Sequence, residues 1–148
     1  MRLEGQYSFD APREVVWKAI SDPAQTAALI PGVQSFEVTD ERHFRAEVKI
    51  PLGVGALAMT VEFEKLEERE PEYSSLVAFG RGLGATLRME TSFTLEPEGQ
   101  GTRMLWTAEL SIAGPLGAMG ERALQPIFRQ QVDRVLAGLE RTVDKGES

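Results

Sequence analysis

The residues able to do chemistry are few in kind and scattered along the chain. One histidine and no cysteine are present, which excludes thiol nucleophiles, disulfides and cysteine metal sites. His43 stands in the turn-like run "DERHF". A metal or triad role there would need partners converging on that turn, and the plain reading is a solvated turn residue. HExxH, GxSxG and P-loop spacings do not occur, and "GRGLGA" lies among hairpins rather than in the βαβ setting of a dinucleotide loop. Glu47, Glu62, Glu64 and Glu109 alternate with apolar neighbours and so face water. Glu121 falls on the helical side of Phe128, Val132 and Leu139, either as a carboxylate favoured by the helix dipole or as a pocket-lining acid. Gln131 shares that arc, where its amide would meet a guest carbonyl or a strand backbone. Arg81, set between glycines, points inward or outward according to which face of its strand is covered. Met59, Met89, Met104 and Met119 sit on apolar faces, which suits plain core and equally a cavity that adapts to a flexible apolar guest. No catalytic or metal-ligating residue is expected.

The 148 residues suit one domain spanning 1–148, and 42% hydrophobic with 26% charged content is ordinary globular composition. A net charge of −7 argues against a nucleic-acid partner and against docking on anionic lipid through a basic patch. The start "MRLEGQYSFD" lacks an apolar leader, and nowhere do 18 apolar residues follow one another, so a cytoplasmic chain without a membrane span is expected. The tail "DKGES" reads as frayed.

These side chains must be carried by something, and the patterning says what. Leu3, Gly5, Tyr7 and Phe9 alternate as a strand over about residues 2–10. A short helix follows at Pro12, with Asp10 as its cap, and a second restarts at Asp22-Pro23 and ends at Pro31-Gly32. Period two then takes over through Phe36 and Val38; Phe44 to Ile50; Leu57, Met59, Val61 and Phe63; Leu87 to Leu95; and Met104, Trp106, Ala108, Leu110 and Ile112. "EREPEYSS" is a turn, and "EPEGQGT" a hairpin loop with two glycines as candidates for positive φ. Val132, Val135, Leu136, Leu139 and Val143 recur at helical spacing. Hairpins imply an antiparallel sheet with one apolar face, and the terminal helix is the element long enough to cover it. The expected class is α+β, a curved antiparallel sheet of about seven strands around a long C-terminal helix, with two short helices after strand 1.

The stretch "GPLGAMGERALQPIF", Gly114–Phe128, has the length of a helix but three glycines and an internal proline. Glycine costs a helix interior about 1 kcal/mol and proline about 3. "FGRGLGA" and "LGVGAL" place Gly80, Gly82, Gly84 and Gly53, Gly55 at alternate strand positions. Small residues on both partners mean either tight helix-on-sheet contact or space left for a guest.

"MRLEGQYSFDAPREVVWKAISDP", "LIPGV", "GRGLGA" and "GTRMLWTAELSIAGPLGAMGERAL" resemble, in order and over nearly the whole chain, the CoxG-like family of carbon monoxide dehydrogenase subunits. That family lies within the START-like (SRPBCC) helix-grip superfamily, whose shared opening is Ala11, Pro12, Val16 and Trp17. The resemblance implies a deep apolar cavity between sheet and helix. Family members with an apolar C-terminal tail would anchor to membrane through it, a role the polar tail here does not suit.

The expected cavity lining is Leu57, Met59, Val61, Met89, Phe93, Trp106, Leu116, Gly120, Leu124, Phe128 and Gln131. Leu29, Ile30 and Pro31 form its rim on a loop free to move. The expected function is a non-catalytic binding or carrier protein without cofactor. It would hold a lipophilic small molecule such as a quinone and serve a molybdenum hydroxylase of the CO dehydrogenase type. The alternative, a polyketide cyclase/dehydrase-like enzyme, requires an ionisable group inside the same cavity.

Overall fold

The computed structural model describes residues 1–51, 55–82, 84–115 and 117–146. Strand β1 (Arg2–Phe9) leads into α1 (Arg13–Ser21) and α2 (Pro23–Ala28). Strands β2 (Val33–Val38), β3 (His43–Pro51), β4 (Ala56–Arg69), β5 (Tyr73–Gly82), β6 (Ala85–Glu98) and β7 (Gly101–Ala113) follow, and α3 (Glu121–Gly146) ends the chain. The strands form one antiparallel sheet in the order β1-β7-β6-β5-β4-β3-β2. Successive strands pair as hairpins, while β1 closes onto β7 and leaves β1 and β2 as the edges.

Register aligns one apolar face across the sheet. Leu3 pairs with Ala108, Gly5 with Trp106, and Trp106 in turn with Phe93. Met89 lies opposite Ala78 and Leu110, and Gly80 opposite Val61 and Leu87. The glycines of β5 therefore face inward with Met59 and Val61, and Arg81, paired with Thr60, faces out. Helix α3 lays Leu124, Phe128, Leu136, Leu139 and Val143 over this face, all buried, at the spacing of one helical side.

The short helices differ in how they start. Asp22 caps α2, its carboxylate accepting from the amides of Ala24 at 3.1 Å and Gln25 at 3.4 Å. Helix α1 begins behind Pro12 with no side-chain cap, so Asp10 does not serve there. In the β6–β7 hairpin only Gly99 of the two expected glycines has positive φ, +62°.

The described residues of the glycine-rich stretch before α3 are not α-helical. Gly114 and Pro115 leave the sheet, Gly117–Met119 make one 3-10 turn, and the α-helix starts at Glu121. Gly120 adopts φ +86° and is exposed, with no neighbour within 4 Å of where a Cβ would stand. It is the hinge before the helix and not a residue of its sheet-facing side, because left-handed backbone cannot continue a right-handed helix. Met119 is likewise out of the core, 52% exposed. Only Pro126 of the expected helix breakers lies inside α3, where it removes the amide that would bond the carbonyl of Arg122.

Candidate functional site

Helix α3 is fastened to both margins of the sheet. On the β1 side the Arg129 guanidinium donates to the carbonyl of Glu4 at 3.3 Å and lies 5.8 Å from the Trp106 ring centre. The Tyr7 hydroxyl donates to Glu140 at 2.9 Å. Burial, followed by its bond to the Glu140 carboxylate, pushes the Tyr7 phenol above its ordinary value. On the β2 side the Gln131 amide donates to the carbonyl of Pro31 at 3.3 Å, and Leu29 packs on Gly138. Gln131 thus bonds backbone, but of the loop before β2 and not of a strand.

Between these margins the middle strands form the floor beneath the helix. Its inner positions are Leu57, Met59, Val61 and Phe63 on β4, and Ala78, Gly80 and Gly82 on β5. They continue as Leu87, Met89, Thr91 and Phe93 on β6, and Trp106, Ala108, Leu110 and Ile112 on β7. Phe63, Leu87, Met89, Phe93 and Ile112 are only half-buried, although they face the covered side. The floor is thus apolar and incompletely filled. Fully packed interiors leave few such gaps.

The room beside the inward glycines is occupied by Met59. A Cβ at Gly80 would meet Met59 Cε at 3.1 Å and Sδ at 3.5 Å, and one at Gly82 would meet Met59 Cγ at 3.3 Å. The glycines let an unbranched, deformable side chain lie flat on the sheet.

One end of the grip is closed by α1, whose Trp17 ring sits 5.9 Å from that of Phe93. Beside it Lys65, in register with Phe63 along β4, donates to the carbonyl of Ser21 at 3.3 Å and pairs with Glu68 at 3.4 Å. A cation at a helix C-terminus is favourably placed.

The expected lining residues fall into three groups. Leu57, Met59, Val61 and Trp106 are buried on the floor, with Met89 and Phe93 half-buried beside them. Leu124 and Phe128 are buried on the helix, and Gln131 is half-buried. Leu29, Ile30 and Pro31 are half-buried on the loop after α2. That loop is tied at two points: besides the Gln131 bond, the Lys49 amide donates to the carbonyl of Gly32 at 2.9 Å and joins it to β3. Gly120 stands apart, for the reason given above. Leu116, Gly53 and the side chain of Glu121 lie outside the described residues.

Beyond the expected lining the site draws on Phe63, Leu87, Ile112, Tyr7, Lys65, Arg129 and Thr91. Arg129 reads as a solvated helix residue, and nothing in its spacing marks a bond to β1. Thr91 carries a detectable signal, a hydroxyl on a strand face otherwise made of Leu87, Met89, Phe93 and Leu95. His43 is exposed, its Nδ1 2.8 Å from Asp40 and its Nε2 3.6 Å from Glu64. Among the described residues no three His, Asp or Glu side chains are grouped to hold a metal, and no helix is long and apolar enough to cross a membrane. An open groove of about 910 Å³ on the outer surface is lined by Ser8, Asp10, Arg13, Glu14, Glu98 and Gln100 among others, and lies apart from the floor.

The family model for the CoxG subunit of carbon monoxide dehydrogenase matches residues 5–144. The chain belongs to the CoxG family. No curated protein matches its sequence. Solved structures carry the same helix-grip fold at low identity. A conserved protein from Geobacillus kaustophilus is 20% identical with a TM-score of 0.92, the alignment covering 98% of this chain and 96% of that one. A START superfamily protein from Mycobacterium smegmatis is 13% identical at a TM-score of 0.76, covering 97% of each chain. The Zhui aromatase/cyclase from Streptomyces sp. R1128 is 12% identical at 0.75, covering 100% of this chain and 96% of that one. The curved sheet and terminal helix of this CoxG member are therefore arranged as in these solved structures, one of them a START superfamily protein.

Proposed function

We propose that this CoxG-family protein is a non-catalytic carrier that holds a lipophilic small molecule between the floor of the sheet and α3. The observation that carries the reading is the half-buried state of Phe63, Leu87, Met89, Phe93 and Ile112 on the covered face. A guest would complete their burial, at about 25 cal/mol for each Å² of apolar surface removed from water. Met59 supplies the adaptable part of the wall, because its thioether can leave the glycine floor without moving backbone.

Within this class the proposed guest is an isoprenoid quinone, which is flat, apolar and oriented by its carbonyls. The proposed partner is a molybdenum hydroxylase of the carbon monoxide dehydrogenase type, as the family's name suggests. Solvent extraction and native mass spectrometry of the purified protein test the carrier reading. A co-purifying or exchangeable apolar molecule at one per chain is expected. A protein that carries none, and takes up neither a quinone nor the hydrocarbon diphenylhexatriene, would overturn it. Co-purification of the tagged chain with hydroxylase subunits tests the partner separately.

A further inference from the structure

Among the described residues, Thr91 Oγ1 is a buried side-chain polar atom with no hydrogen-bond partner. Its place makes this informative. Thr91 lies in the middle of the floor, opposite Leu76 on β5 and Ala108 on β7, with Met89 and Phe93 as its same-face neighbours along β6. The backbone around it is committed to the ladders on both sides, so the strands offer the hydroxyl nothing to bond. A buried hydroxyl left unmet is costly, whereas a valine would fill the same volume without that cost. A buried donor on this apolar face therefore asks for an acceptor, which a guest that displaces its neighbours would bring.

We propose that Thr91 is the polar anchor of the cavity, its hydroxyl donating to a carbonyl oxygen of the bound molecule. The inference rests on the carrier reading and adds the chemical class of the contact. A carbonyl suits the site better than a guest hydroxyl or amine. It accepts the one proton on offer and brings no donor of its own into surroundings made of Leu76, Met89, Phe93 and Ala108. The contact would set how deep a carbonyl-bearing guest sits, while the surrounding side chains supply affinity without orientation.

Two probes and two variants test this. Decylubiquinone, which carries carbonyls, is followed by quenching of Trp106 and Trp17 fluorescence; diphenylhexatriene, a pure hydrocarbon, is followed by its own emission. The chain has no cysteine for a quinone to modify. Thr91→Val should bind decylubiquinone about three- to tenfold more weakly, as expected for one neutral hydrogen bond. It should bind diphenylhexatriene unchanged and melt no lower than the parent, and Thr91→Ser should restore quinone binding. Equal quinone affinity in Thr91→Val, with both probes still bound, would overturn the anchor and leave the carrier standing. Equal weakening of both probes would make Thr91 a packing residue, and a clearly lower melting temperature would mean the hydroxyl is already partnered; either result overturns the proposal. A parent protein that binds neither probe removes the carrier reading and this inference with it.

Discussion

Gly80 and Gly82 face the same interior two residues apart on β5, yet the same substitution should have opposite results at them. At Gly80 a methyl group would meet the tip of Met59 at 3.1 Å and Leu87 Cβ at 3.4 Å. The nearest atom ends an unbranched side chain, which can withdraw by a few tenths of an ångström. Removing glycine from a strand recovers about 0.5–1 kcal/mol, and displacing Met59 offsets part of it. Gly80→Ala should therefore stay within about 1 kcal/mol of the parent. At Gly82 the methyl would overlap the carbonyl oxygen of Ala58, and backbone paired into β4 cannot withdraw alone. Gly82→Ala should cost about 1–3 kcal/mol, the usual range for overpacking. For a chain of this size a loss of about 2 kcal/mol lowers Tm by about 6 °C. Parallel circular-dichroism melts read the difference. Gly80→Ala should also take up less diphenylhexatriene while remaining folded, because Met59 is pushed toward α3. If Gly82→Ala melts with the parent, or if Gly80→Ala melts below Gly82→Ala, the account of the glycine floor is wrong.

Trp106→Ala should destabilise by about 3–5 kcal/mol, since the indole is 7% exposed and packs on Gly5; a loss under about 1 kcal/mol in urea titration would contradict its place in the core. Gly120→Ala should cost about 1 kcal/mol despite the open space around it, because φ is +86° there; an unchanged melt would show that the segment relaxes freely. The proton NMR titration of His43 should have its midpoint above the ordinary 6.5, held up first by the hydrogen bond to Asp40. Its contribution to stability is then complete below pH 6.5 and lost as pH rises through the folded-state value. Asp40→Asn should bring the midpoint down.

Period-two alternation was enough to read β3, β4, β6 and β7, because each buries one face and wets the other; β5, where adjacent Val77 and Ala78 are both buried, was marked only by its alternate glycines. Asp22-Pro23 was enough for α2, since cap and proline act locally. The start of α3 was not legible. Composition shows that "GPLGAMG" makes a poor helix, but only the backbone shows Gly120 at positive φ and the chain turning there. The direction of Arg81 likewise waited on register, as one residue of slip would reverse the strand. On β4, β6 and β7 the inward positions of the floor could be listed from parity, while those of β5 waited on register. What fills it could not, because Met59 lying across Gly80 and Gly82 is a contact between strands. The Arg129, Tyr7 and Gln131 fastenings join residues far apart in the chain, so no local pattern reports them.

The margins to which α3 is fastened have a second consequence. An open sheet, unlike a closed barrel, presents two rows of backbone groups that could template another copy of the chain. Here both rows are spoiled. Strand β2 is short and its register shifts between Val33 and Ser35, so an incoming strand would find no continuous ladder. Strand β1 is regular over Arg2–Phe9, but the Glu4 carbonyl is taken by Arg129, and Arg2 and Glu4 stand charged along it. At β1 the side chain that holds the helix over the sheet thus also denies the edge a neighbour. At β2 the strand's own shortness and shifted register do so, and growth by strand addition is hindered at both ends of the same scaffold.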